Sequence, residues 1–262
     1  DTNAQVGVDG MCNNVSSVEN LIHELRRQGG ITVRTNFDPL NEIWKDRPAI
    51  PDHKMEVYPM KYAGETALSK MRRVRATLCD MGADGMLVSA LDDIAWLLNL
   101  RGTDVHCNPV FVAYLLLSTD KATLFIDKAK LTPQVEEYLK AQDVGMESYD
   151  KVGEGLREYF EYNILLDPEE TSYTLYNIIA SADSKAYAKS IVRHASPIPA
   201  MKAVKNDVEI AGYHNAMLRD GVAMVKFLKW LKPAVAEGGQ TEMSVDRKLT
   251  ALRAEQSLFR GI

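Results

Sequence analysis

Apolar and polar positions follow two periods along the chain, and the switches between them mark out its elements. The first stretch predicts a strand over residues 6–9 and a strand over 31–37. Between them lies a helix over 17–28 with Val18, Leu21, Ile22 and Leu25 on one face, closed by Gly29 and Gly30. Residues 45–51 carry two prolines and three charges, which break any regular element. Over 64–81, Leu68, Met71, Val74, Leu78 and Met81 recur at helical spacing and Gly82 supplies a left-handed stop. Residues 85–90 form a short apolar strand, and Asp92 opens a helix holding Trp96 and Leu97. Residues 110–118 and 122–126 read as two strands of a hairpin. Helix 133–141, strand 144–149, helix 153–160, strand 163–167, helix 172–180 and strand 186–193 follow. Such alternation implies an α/β fold, a mixed sheet covered by helices on both faces.

After residue 199 the pattern becomes purely helical. A long helix is predicted over 207–231, capped by Asn206 with Glu209 completing a capping box, and with Met217, Met224, Leu228 and Leu231 on one face. Pro233 and Gly238-Gly239 should end it. A second helix over about 242–257 starts behind Thr241 and carries Val245, Leu249 and Leu252. The chain therefore divides into residues 1–46, the closing part of a first α/β domain; 47–199, a second α/β domain; and 200–262, the opening helices of a third. Two long helices without a sheet should expose Met217, Met224, Leu228 and Leu252 as an apolar patch, and both ends of the chain read as interior sequence.

Composition narrows the class. Of 262 residues, 46% are hydrophobic and 26% charged, as a soluble folded protein requires. The net charge is −5 and the basic residues are scattered, which argues against nucleic acid as a partner. The longest apolar runs fall far short of the roughly 20 residues of a membrane span. Cys12, Cys79 and Cys107 form no CxxC pair, so free and mostly buried thiols in a reducing compartment, the cytoplasm, are expected.

Candidate chemistry is sparse. His23, His53, His106, His194 and His214 stand apart, so no local zinc or paired-metal spacing exists. The acidic pairs Asp92-Asp93 and Glu169-Glu170 are explained by the helix dipole, with Asp92 and Glu170 as first-turn residues. No GxSxG, GxxxxGK[ST] or GxGxxG occurs, and Cys107 beside His106 reads as a loop thiol. One stretch gathers polar groups between a buried helix and a buried strand: Arg101, Asp104, His106 and Asn108. Its simplest structural reading pairs Arg101 with Asp104 and lets Asn108 tie down loop backbone; its functional reading turns the loop toward a cleft.

At these residues a family is identified by resemblance. The run Ala90-Leu91-Asp92-Asp93-Ile94-Ala95-Trp96-Leu97-Leu98-Asn99-Leu100-Arg101-Gly102-Thr103-Asp104, followed by Asn108-Pro109-Val110-Phe111, resembles the middle domain of three-domain Xaa-Pro aminopeptidases of the creatinase and prolidase superfamily. Trp44-Lys45-Asp46-Arg47-Pro48, Tyr62-Ala63-Gly64-Glu65, Leu166-Asp167-Pro168 and the stretch opening at Lys202-Ala203-Val204-Lys205-Asn206-Asp207 agree, in the family's order. The resemblance implies a parent enzyme that removes an N-terminal residue when proline is second. It also implies two divalent metal ions, usually manganese, held in a C-terminal catalytic domain by Asp, Asp, His, Glu and Glu. None of those ligands matches a position in 1–262, so no catalytic or metal-binding residue is assigned, no metal is expected on this chain, and the chain alone is expected to be inactive. Its implied partners are short proline-containing peptides and a second copy in a homodimer, with no nucleic acid and no membrane. Arg101, Asp104, His106 and Asn108 are the candidate substrate-lining residues. The alternative is a non-catalytic creatinase-like binding or dimerisation module.

Overall fold

The structure, a computed structural model, describes residues 4–159, 163–181 and 190–261. Its first unit is a β-α-β crossover. Strand β1 (Gln5–Gly7) pairs parallel with β2 (Thr32–Arg34), and α1 (Val15–Gly29) connects them. Asn14 starts α1 by accepting from the Ser17 N–H, and Gly30 ends it in the left-handed region at φ 66°. Both strands are largely exposed, so this unit draws its burial from Val15 and Val18 at the start of α1.

The proline-rich connection contains α2 (Leu40–Ile43), β3 (Glu56–Val57) and α3 (Met60–Ala63), none of which is long enough to show a period. Helix α4 (Ala67–Asp80) starts at the Thr66 cap and leads to β4 (Gly85–Val88), α5 (Leu91–Leu97) and β5 (Leu100–Arg101), which pairs antiparallel with β3. The hairpin of β6 (Ala113–Leu117) and β7 (Ala122–Ile126) comes next, then α6 (Pro133–Ala141), β8 (Val144–Ser148), α7 (Val152–Glu158), β9 (Asn163–Leu166), α8 (Tyr173–Ala180) and β10 (Ser190–Arg193). Short 3-10 turns at Lys128–Lys130 and Tyr149–Lys151 precede α6 and α7.

The main sheet has six strands in the order β10-β9-β4-β6-β7-β8. β9 is parallel to β10 and β4, β6 is antiparallel to β4 and β7, and β8 is parallel to β7, so the predicted mixed sheet is present. Alternation along each strand feeds two cores. Met86, Val88, Leu115, Leu117, Leu124, Ile126 and Leu165 pack with α4, α5 and α6, while Leu87, Leu116, Phe125, Ile164 and Leu166 pack with α7 and α8. Helices thus cover both faces.

Strand β6 begins at Ala113, later than the periodicity predicts, because the preceding residues bond to the loop instead of the sheet. Gly102 N–H donates to Pro109 O, Asp104 N–H to Val110 O, and Val112 N–H to the Asp104 carboxylate. The expected strand over 186–193 is seen as β10, with residues 186–189 outside the described residues, as is Phe160 of the expected helix 153–160.

Pro168 to Tyr173 holds the first unit to the sheet through a reciprocal set of bonds. Val15 N–H donates to Thr171 O and Tyr173 N–H to Asn13 O; Ser16 N–H donates to Pro168 O and Thr174 N–H to Gly10 O. Asn14 and Ser172, the caps of α1 and α8, face each other across this exchange. Upstream, Asp9 accepts from Met11 N–H and Asp167 from Glu169 N–H. Asp9 precedes Asn14 by the same interval as Asp167 precedes Ser172, so the two β-α-β segments meet in a local twofold arrangement.

After α9 (Ile198–Ala203), α10 (Asp207–Glu237) and α11 (Glu242–Ala254) form an antiparallel pair. The Asn206–Glu209 capping box forms as predicted. Pro233 does not end α10, which runs through it to Glu237. Phe227 before the proline and Ala234 after it are both buried, and packing of this kind offsets the roughly 3 kcal/mol that an interior proline costs. Met217 and Leu228 are exposed as expected, but Leu252 is buried against Ala223 and Phe227 and Met224 is half-buried, because α11 folds back onto α10. All three cysteines are exposed, contrary to the expected burial. Cys12 sits in the turn before α1, Cys79 near the end of α4, and Cys107 in a loop turn.

Candidate functional site

The loop over residues 101–108 leaves β5 and returns toward β6, and it separates its four polar residues into two roles. Arg101 faces inward. Its Nη1 donates to the carbonyls of Ala95 and Leu100 at 2.9 and 2.8 Å, and its guanidinium lies 4.1 Å over the Tyr58 ring. Burial pushes the guanidinium pKa down, with Tyr58 opposing. Asp104 is also inside. One carboxylate oxygen accepts from Val112 N–H at 2.8 Å and pairs with the buried Lys130 ammonium; the other faces His53 Nδ1 at 3.6 Å. Arg101 and Asp104 therefore do not pair with each other, because each has a nearer partner: an aromatic face and two carbonyls for one, a buried lysine for the other.

His106 and Asn108 form the exposed part. Val105 and Asn108 bridge across a turn in which Asn108 N–H donates to Val105 O at 3.2 Å and Cys107 takes φ 64°. The imidazole and the amide stand at the tip, while Asp104 and Lys130 fix the loop from below.

Sequence reasoning missed Lys70, which ties α4 to the end of α5 and to Asn99 just ahead of β5. Its side chain is buried on α4, and Nζ donates to Trp96 O at 2.9 Å and Asn99 Oδ1 at 2.8 Å while sitting 4.3 Å over the Trp96 ring. Asn99, held at φ 50°, returns a bond to Glu65 O. Burial lowers the ammonium pKa to about 8, against the pull of Glu209 and Glu65.

A second polar group lies where α5 meets α9. Lys202 bonds to Asp92 and, at 2.6 Å, to Asp93. Both aspartates occupy the first turn of α5 as expected. Burial opposes ionisation of each; at Asp92 the lysine wins and holds the carboxyl down, whereas at the more deeply buried Asp93 burial wins and pushes it up. Glu170 is not in the first turn of α8. It lies in the turn ahead of the Ser172 cap, where burial and the charges of Asp167, Asp93 and Asp92 raise its carboxyl pKa.

Two clefts open elsewhere. One, of about 360 Å³, lies between the sheet and α7 and is lined by Phe125, Met146, Glu147 and Glu154 among others. The other, of about 310 Å³, lies at the cap junction against Cys12, Ser89, Tyr114 and Glu170. Arg101, Asp104, His106 and Asn108 line neither. Among the described residues no group of three or more His, Cys, Asp or Glu is placed to hold a metal ion, and no helix is long and apolar enough to cross a membrane.

The Creatinase/Prolidase N-terminal domain matches residues 46–209, a stretch that contains the whole six-stranded sheet. The chain belongs to this family. Among curated members it is 35% identical to a probable Xaa-Pro aminopeptidase P of Neosartorya fischeri, over 98% of this chain and 40% of that protein. It is 30% identical to aminopeptidase P1 of Arabidopsis thaliana, over 99% of this chain and 46% of that protein. A solved X-prolyl aminopeptidase from Caenorhabditis elegans, described as a cytosolic enzyme with a di-nuclear active site, superposes on 100% of this chain and 43% of its own with TM-score 0.88 at 26% identity. The Xaa-Pro dipeptidase of Bacillus anthracis shares the fold at TM-score 0.55 and 18% identity. The chain spans less than half the length of these curated relatives. A di-nuclear centre needs several carboxylates or imidazoles converging; the described side chains do not fit one.

Proposed function

We propose that this chain is the non-catalytic portion of a metal-dependent Xaa-Pro aminopeptidase that hydrolyses the N-terminal residue from peptides with proline in second place. The observation that carries the proposal is the likeness in fold to the Caenorhabditis elegans enzyme over the full chain. In this reading residues 1–46 close a first α/β domain, 47–199 form the second, and 200–262 open the catalytic domain. Two divalent ions, manganese being usual, are held by residues outside 1–262. The parent is a cytoplasmic homodimer acting on short proline-containing peptides, and the portion seen here shapes their access and supports dimerisation.

Arg101, Asp104, His106 and Asn108 act on substrate entry in two ways within this proposal. The buried pairings of Arg101 and Asp104 hold the loop rigid, and the exposed imidazole of His106 and amide of Asn108 meet the peptide. The test is hydrolysis of an Xaa-Pro dipeptide with added manganese. The intact gene product should cleave it and a chain ending at Ile262 should not; cleavage by the short chain would overturn the domain assignment. His106→Ala and Asn108→Ala should raise KM with kcat little changed, and an unchanged KM in both would remove the loop from the substrate path.

A further inference from the structure

Two stretches with no assigned chemistry, Tyr62-Ala63-Gly64-Glu65 and the residues that open α10, meet in space. Helix α3 ends at Gly64, and α10 begins at Asn206. The Asn206 side chain serves both helix ends at once. Its Oδ1 accepts from Glu209 N–H at 2.9 Å, satisfying an open donor of α10, while its Nδ2 donates to Ala63 O at 2.8 Å, satisfying an open acceptor of α3. Space for the amide exists because residue 64 is glycine. A Cβ there would lie 2.5 Å from Asn206 Oδ1 and 2.8 Å from Nδ2, and the φ of 70° already disfavours any other residue. Asp at 206 would cap α10 equally well, but it would turn a second acceptor toward the Ala63 carbonyl.

Beyond this joint α10 leans on α11, with Ala223 and Phe227 against Leu252. Its first half is exposed at Tyr213, Met217 and Leu218. One return link, an ion pair of Arg260 with Glu56, is between largely exposed side chains and holds weakly. We propose that Asn206 and Gly64 are positioning residues: the bridging amide sets the angle at which α10, and α11 with it, leaves the α/β domain, and so where the apolar face of α10 is presented. The lever is long. From residue 206 to residue 232 a helix extends about 39 Å, so a tilt of about 10° at the joint moves the far end by about 7 Å.

Spin labels at the exposed positions Arg72 on α4 and Lys232 on α10, in the intact protein with its native cysteines replaced by serine, read that angle. The parent should give one narrow distance. N206D should shift or broaden it by several ångströms while helical circular dichroism stays unchanged, because the cap survives and only the bridge is lost. G64A, which displaces the amide sterically, should do the same, and it decides the question if N206D does not fold. An unchanged distance in folded N206D or G64A would overturn the proposal, as would an equal displacement produced by Arg260→Ala alone.

Discussion

At the scale of single residues, two buried lysines brace the loop region, Lys130 at Asp104 in the loop and Lys70 at Trp96 and Asn99 ahead of it, and their chemistry predicts opposite kinds of sensitivity. Lys70 has a folded pKa of about 8, below the ordinary lysine value near 10.5. Between those values the unfolded chain binds more protons than the folded one, so stability contributed at this site rises with pH across that window. Urea unfolding of the parent and of Lys70→Met from pH 7.5 to 10.5 should show the difference moving in the parent's favour, by at most about 3 kcal/mol; a flat difference would mean that the ammonium is well solvated. Lys130 and Asp104 instead neutralise each other inside. Asp104→Ala strands a buried cation and should cost about 3–5 kcal/mol by the same assay, while Asp104→Leu with Lys130→Met should recover most of it. Burial of Lys70 is legible in the sequence, since it shares the face of Met71, Val74 and Leu78 at helical spacing. Its partners are not, because they come from a corner built on a left-handed asparagine for which no local pattern stands.

At the scale of elements, periodicity finds what is long and half-buried and fails on what is short. Strands β4, β7, β8 and β9 and the helices α4, α6 and α8 fall where alternation and helical spacing place them, while β6 starts three residues late. β3 and β5, two residues each, have no period to detect, yet they turn Arg101 onto Tyr58. The cap junction carried a readable repeat, an aspartate at a fixed interval before Asn14 and before Ser172, which is visible only once two helices are compared. Pro233 marks the limit of residue-type rules, since tertiary packing overrode its usual stop. Pro233→Ala restores an N–H to the Lys229 carbonyl and should slow hydrogen exchange over residues 231–237, stabilising the last turns of α10 by up to about 3 kcal/mol. A loss of stability would instead show that a bend at Pro233 is what seats α10 on α11.

At the scale of the molecule, the question is what fixes the first β-α-β unit to the large sheet, given how little apolar area it buries. Two kinds of contact compete. The cap junction supplies four backbone hydrogen bonds and the bond from Asn14 Nδ2 to Glu169 O at 2.8 Å. Arg193 supplies a bidentate pair with Glu19 at 2.7 and 2.6 Å and a bond to the Tyr176 hydroxyl at 3.0 Å. The ion pair holds the Glu19 carboxyl below its ordinary range. Its contribution is therefore present above the ordinary carboxylate pKa and lost as pH falls through the depressed value. Being about 40% exposed, with side-chain values of 41% and 39%, it should contribute under about 1 kcal/mol. Removing Asn14 costs a helix cap and the bond to Glu169 together, about 1–2 kcal/mol before any loosening of the neighbouring backbone bonds. Hydrogen exchange of α1 should therefore accelerate more in Asn14→Ala than in Arg193→Ala, and as the pH is taken below the ordinary carboxylate range the parent and Asn14→Ala should lose more protection than Arg193→Ala, which has no paired Glu19 left to titrate. If Arg193→Ala released α1 as fully as Asn14→Ala, the surface charges and not the paired helix ends would be what orients this unit.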